Sequence, residues 1–127
     1  MDKAALVAPD FKAGLELVRA LDKSRLPVSV ALWLFSSDYE DWRFLLASRQ
    51  LDAVDGTDAY GLVHDALASA GISLEQTPAL LILKMSDPMI RDLRRMFSKT
   101  KSVEGMRLGG QRVGDQFVHE ALVYRIR

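Results

Sequence analysis

The sequence predicts an α+β domain with a mainly antiparallel sheet of about five strands and three helices, in the order α-β-β-α-β-α-β-β. Apolar residues that alternate with other residues mark the strands, and apolar residues spaced by three and four mark the helices. Glycine or proline separates most of these runs. The 127 residues are 49% hydrophobic and include no cysteine. This composition is typical of one globular domain, here residues 1–127, without disulfides or sulfur-bound zinc.

The first half of the chain is predicted to contain two helices and two strands. Asp10 is expected to cap a helix that runs to about Lys23. The run "VSVALWLF" is apolar on both faces, which predicts a central strand or one covered on both sides. The run "WRFLLAS" is predicted as its partner strand. A second helix is expected to start at Thr57 or Asp58 and to end near Ala70.

The second half is predicted to contribute three strands and the third helix. The apolar run 79–85, "ALLILKM", predicts a short buried strand. Asp87 and Pro88 suit the N-cap and first position of a helix that is expected to continue to Lys101. The segments "GMRLGGQRVG" and "FVHEALVYRIR" are predicted to form a hairpin with a glycine-containing turn.

Positive charge is concentrated late in the chain. Residues 1–80 carry 7 Lys and Arg against 12 Asp and Glu, whereas residues 81–127 carry 10 against 5. On the third helix the cations lie opposite the apolar face. This predicts a basic ridge for nucleic acid or a phosphorylated ligand, made of Arg91, Arg94, Arg95, Lys99, Lys101 and Arg107. The alternative is a solvated helix face whose cations complement the helix dipole. A nucleic-acid binder usually has excess positive charge, whereas this chain is neutral overall.

Candidate catalytic groups are few. His119 and Glu120 are neighbours on a predicted strand, so they point to opposite faces, and one of them is expected among apolar neighbours. His64 lies at the border of an apolar helix face. No metal-ligand spacing is present, so no metal and no cofactor are predicted. A metal-dependent hydrolase would have to use Asp38, Glu40, Asp41 or Glu120, but the three turn carboxylates are better explained as a hydrated hairpin tip.

Two stretches, "GMRLGGQRVGDQFVHEALVYRI" and "VSVALWLFSSDYEDWRFLLAS", resemble a group of small bacterial α+β proteins of unassigned function. The resemblance implies a small bacterial cytoplasmic domain and agrees with the predicted element order. It implies no substrate and no catalytic residue.

The leading functional hypothesis is a non-enzymatic module that binds a partner protein or forms a homodimer. Its basis is the missing catalytic signature, the uneven charge and a set of large side chains expected near the surface: Trp33, Phe35, Tyr39, Trp42, Met85 and Met89. A dimer across the sheet would cover the second apolar face of the first strand. The longest apolar run is too short to cross a membrane, so a cytoplasmic protein without membrane contact is expected.

Overall fold

The computed structural model describes the backbone of residues 8–36, 38 and 40–127 and the side chains of residues 11–35, 38 and 40–127. It is an α+β fold with a five-stranded sheet in the order β3-β2-β1-β5-β4. All neighbouring strands are antiparallel except β2 and β3, which are parallel. Among the described residues, no helix combines the length and the apolar character that crossing a membrane requires.

The elements follow the predicted order, with one short α-helix and one 3₁₀ helix in addition. The 3₁₀ helix spans Leu74–Gln76. The α-helices are α1 (Ala8–Lys23), α2 (Arg49–Asp52), α3 (Gly56–Ser69) and α4 (Pro88–Phe97). The strands are β1 (Val30–Ser36), β2 (Asp41–Ala47), β3 (Leu80–Ile82), β4 (Arg107–Val113) and β5 (Gln116–Ile126).

The hydrophobic core has two parts, one on each side of the sheet. On one side α1 and α3 pack against the strands, around Leu21, Trp33 and Phe44. On the other side α4 packs through Met89, Ile90 and Leu93. Alternate residues of β1 enter the two parts, because successive side chains of a strand point to opposite faces. The prediction that β1 is central or covered on both sides is confirmed, and the structure shows both.

A bulge in β5 places Tyr124 at the centre of the α1 side. Ala31 pairs with Arg125 and Leu32 pairs with Val123, so Tyr124 is the extra residue between them. Its hydroxyl accepts a hydrogen bond from Trp33 Nε1 at 3.1 Å and donates one to the Phe11 carbonyl at 2.8 Å. The ring stacks on Phe11 with 5.1 Å between centroids. These contacts join α1, β1 and β5.

Several element boundaries differ from the prediction. Asp10 lies inside α1, which begins at Ala8, so Asp10 is not at the N-cap position of this helix. Asp55, not Thr57 or Asp58, is the N-cap of α3. Helix α4 ends at Phe97 rather than at Lys101. The prediction also missed α2, although Ser48 caps it by accepting a hydrogen bond from the Leu51 amide at 3.1 Å.

The third strand is shorter than the predicted 79–85. The ladder ends where Leu83 donates to the Leu46 carbonyl, and β2 itself stops at Ala47. The Met85 amide is bound instead by the Asp52 carboxylate of α2, at 3.1 and 3.2 Å. The chain therefore leaves the sheet early because a side chain replaces the neighbouring strand as acceptor.

The large side chains expected near the surface are mostly buried. Trp33 belongs to the α1 side of the core, whereas Met85 and Met89 belong to the α4 side. Phe35 and Trp42 are half-buried and pack edge to face against each other, and Tyr39 lies outside the described residues. Helices α1 and α3 already cover the second apolar face of β1, which carries Ala31 and Trp33, and α4 covers the first. A dimer is therefore not needed to bury that face.

We predict that Gly14→Ala destabilises the fold, although alanine favours helices. A Cβ at this position would lie 2.3 Å from Oη and 2.4 Å from Cζ of Tyr124. Urea denaturation should show a free energy of unfolding lower by about 1–3 kcal/mol, because the core would be overpacked.

Gly61 in α3 is the matched control, because a Cβ there would meet nothing within 4 Å. Gly61→Ala should raise the free energy of unfolding by about 0.5–1 kcal/mol, through helix propensity alone. If both variants were stabilised, the close approach of α1 to Tyr124 would be wrong.

Candidate functional site

The β4–β5 hairpin is held against the start of α4. Asp87 caps this helix by accepting from the Met89 amide at 2.9 Å. Asp92, one turn further, accepts a hydrogen bond from the Gly114 amide at 2.9 Å. Gly114 has a φ of +64° and so little room that a Cβ would lie 2.6 Å from the Met89 nitrogen. The hairpin turn is thus fixed to the helix by backbone contact and by one carboxylate.

The three arginines of the predicted ridge that lie within α4 have different surroundings. Arg95 forms an ion pair with Asp92. Arg94 donates from Nε to the Arg127 carbonyl at 2.5 Å. Arg91 is exposed and, among the described residues, has no ion-pair partner.

The other three cations of the predicted ridge do not extend it as one surface. Lys99 is exposed beyond the end of α4. Lys101 lines a groove next to α1. Arg107 pairs with Leu122, a residue of the α1 side of the core, and its side chain forms a 2.9 Å ion pair with Glu120. Arg107 therefore lies on the opposite side of the sheet from α4.

The projecting part of the hairpin exposes an aromatic pair. Residues 116–120 of β5 pair with β4 but not with β1. Phe117 is 50% exposed, and its ring packs edge to face against exposed His119 with 4.9 Å between centroids. Arg112 lies directly opposite Phe117 on β4 and donates to the Asp115 carbonyl at 3.3 Å. We call Arg112, Phe117 and His119 the hairpin face.

The alternation predicted for β5 is wrong in this part of the strand. Val118 packs on the α4 side with Ala121 and Val123, rather than with Leu122 and Tyr124. The opposing strand contains Gly110 with a φ of +64°, and such a residue interrupts the regular pleat. As a result His119 is exposed, and Glu120 is half-buried with its carboxylate on Arg107. Neither is buried among apolar side chains, whereas the prediction placed one of them among apolar neighbours.

The candidate catalytic side chains lie on separate elements of the fold, namely the β1–β2 turn, α3 and β5. No group of three or more His, Asp and Glu side chains in the described part of the chain could hold a metal ion. Asp38 and Glu40 are exposed on the turn between β1 and β2, and Asp41 is exposed at the first position of β2, as expected for a hairpin tip. His64 is half-buried on α3, and its Nδ1 atom has no hydrogen-bond partner among the described residues.

A groove at the other end of β5 was not predicted. Its volume is about 370 Å³, and it lies between α1, the segment 100–104 and the end of β5. At its base Arg125 forms a double ion pair with Asp22, with N–O distances of 2.9 and 2.8 Å. These two residues are 103 positions apart in the chain, so no local sequence pattern could have indicated the pair.

Both pKa values of this ion pair shift in the direction that favours charge. The hydrogen bond from Arg125 lowers the pKa of Asp22, and burial opposes this only in part. The hydrogen bond to Asp22 raises the pKa of Arg125. Both groups are therefore charged near neutral pH.

We predict that Gly114→Ala destabilises the protein more than Gly110→Ala. Both glycines have a φ of +64°, so both substitutions introduce left-handed strain of about 1–2 kcal/mol. Only at Gly114 would the Cβ also collide with the backbone of Pro88 and Met89, whereas at Gly110 it would meet nothing within 4 Å. Thermal and urea unfolding of the two variants should differ by about 1–3 kcal/mol. Equal losses would mean that the turn does not rest on α4.

We predict that Asp22→Asn removes a contribution to stability that depends on pH. The pKa of Asp22 is lower in the folded chain than the ordinary 3.8, so the pair stabilises the fold above that value. The contribution is lost as the pH falls through the lowered folded pKa. Urea denaturation should therefore show a difference between wild type and variant at neutral pH that shrinks as the pH is lowered below 3.8.

Asp65→Asn is the control for this experiment, since Asp65 is exposed on α3 and is part of no ion pair within the described chain. Its effect on the free energy of unfolding should be small at neutral pH. A difference for Asp22→Asn that persisted unchanged in acid would contradict the ion pair as its source.

Comparison with known proteins leaves the site without a precedent. No protein-family model matches the chain, and no curated protein or solved structure shows significant similarity to it. A function has to be argued from the chemistry of the surfaces themselves, because a fold alone does not define one.

Proposed function

We propose that the domain is a non-enzymatic protein-interaction module whose partner protein binds the hairpin face. The observation that carries this proposal is the exposed Phe117 side chain. It packs against His119 on a part of β5 that does not pair with β1. Aromatic side chains are enriched among the residues that dominate binding energy, because they bury a large area with few rotatable bonds.

The support beneath the hairpin face favours this use. Val113 and Val118 are buried in the α4 side of the core, and Gly114 is bound to Asp92. The strands that present Phe117 are therefore fixed from behind before any partner arrives. A surface ordered in advance loses less conformational entropy on binding.

The local charge favours a protein over a nucleic acid. Between residues 107 and 120 the two arginines are balanced by Asp115 and Glu120. Arg107 is already paired with Glu120. Nucleic-acid surfaces carry a clear excess of cations, whereas the central part of a protein interface is depleted in charge and rich in aromatic residues.

The outer edge of β4 is a less suitable contact than the hairpin face. An edge strand can accept a strand from a partner. Gly110, with its positive φ, interrupts the regular spacing of backbone donors and acceptors on this edge. We therefore expect side-chain contact with Phe117, rather than strand addition, to dominate.

We predict that a photo-crosslinking residue at position 117 gives a discrete protein adduct in the native cells. The control position is Leu74, which is 70% exposed in the 3₁₀ helix, away from the hairpin. In a separate affinity capture without a crosslinking residue, Phe117→Ser should abolish binding of the partner. The melting temperature of this variant should stay nearly the same, because the Phe117 side chain is half-exposed. Adduct bands are resolved by gel and mass spectrometry.

The outcomes separate the hypotheses. A protease-sensitive adduct at 117 but not at 74 supports the proposal, and a band of twice the chain mass identifies the partner as a second copy. An adduct destroyed by nuclease would replace a protein partner with nucleic acid. Equal labelling at both positions, or none at 117, would refute the hairpin face as a binding surface.

A further inference from the structure

We propose that the groove between α1, the segment 100–104 and the end of β5 binds a small organic molecule that carries a phosphate monoester. The groove lies at the opposite end of β5 from the hairpin face, so this inference is independent of the proposed partner surface. Its volume of about 370 Å³ falls in the range of small-molecule sites.

The positive charge of the groove is only partly neutralised by the carboxylates that line it. Arg19 from α1, Lys101 from the loop after α4 and Arg127 after β5 line it. Among the described residues none of the three has an ion-pair partner. Cations from three separate parts of the chain around one partly enclosed space attract an anion more strongly than cations spread over a flat surface.

The ion pair at the base keeps the groove cationic. Asp22 is the carboxylate on the α1 wall, and both of its oxygens are bound by Arg125. It is therefore not available to Arg19 or Lys101. Glu104, which is exposed, is the other carboxylate that lines the groove, and the lining side chains together leave two positive charges in excess.

The donors suit a phosphate better than a carboxylate. Besides the arginine fork and the lysine, the hydroxyl groups of Thr100 and Ser102 line the groove and are exposed. A phosphate monoester offers three terminal oxygens and nearly two negative charges at neutral pH, whereas a carboxylate offers two oxygens and one charge.

The remaining lining accounts for the organic part of the ligand. Leu15 and Ile126 are half-buried at the groove and provide apolar surface beside the cations. A free phosphate ion would leave this surface and most of the volume unused. The geometry therefore fits a phosphorylated compound rather than the inorganic ion.

The test is a titration of the labelled full chain with phenyl phosphate, followed by amide chemical shifts at constant ionic strength. We expect saturable shifts centred on residues 100–104. Arg19→Ala and Lys101→Ala should each raise the dissociation constant by about tenfold, since each removes a charge-assisted hydrogen bond. Both side chains are exposed and unpaired within the described chain, so both variants should fold, which thermal unfolding will verify.

Lys99→Ala is the matched control, because Lys99 is an exposed cation two positions away that does not line the groove. A dissociation constant that is unchanged in Lys99→Ala and raised in the other two variants supports the site. An equal rise in all three variants would mean that binding depends only on the net charge of the chain, which would overturn the proposal. Absence of saturable shifts would overturn it as well, and benzoate binding as tightly as phenyl phosphate would refute the phosphate assignment.

Discussion

The hydroxyl group of Tyr124 joins the three segments that define the α1 side of the molecule. It bonds to Trp33 in the central strand and to the Phe11 carbonyl in α1, and a bulge in β5 directs it there. Gly14 lets α1 approach the ring. The position of α1 in turn brings Asp22 to Arg125. The groove with its cations thus depends on a contact between residues more than a hundred positions apart.

The α4 side depends on a different constraint, the close approach of Gly114 to the first turn of the helix. Because the turn rests on Pro88 and Met89, the end of the hairpin extends past β1 with one side buried and the other uncovered. Val118 fills the buried side, and Phe117 and His119 occupy the uncovered one. In the same contact Asp92 accepts a hydrogen bond from Gly114 and forms an ion pair with Arg95. This ion pair neutralises part of the positive charge that was predicted for the basic ridge.

How far the sequence could predict the fold is clear from particular residues. Alternation identified β1 as a strand covered on both faces, and Asp87 with Pro88 correctly marked the start of α4, because both signals are local. The end of β3 was missed because the Met85 amide, three residues past the strand, binds Asp52, a residue 33 positions earlier. The face of Val118 was misassigned because alternation assumes a regular pleat, which Gly110 interrupts.

The sequence by itself determined the α+β class, the element order and the unequal distribution of charge, because these follow from local periodicity, turn residues and composition. Only the tertiary structure decided which charges meet. Of the six cations predicted to act together, Arg107 lies across the sheet and Lys101 lines the groove with Arg19. The physical reason is that helical spacing fixes directions within one helix only. Once the helix ends at Phe97, the packing of distant segments determines where each later side chain lies.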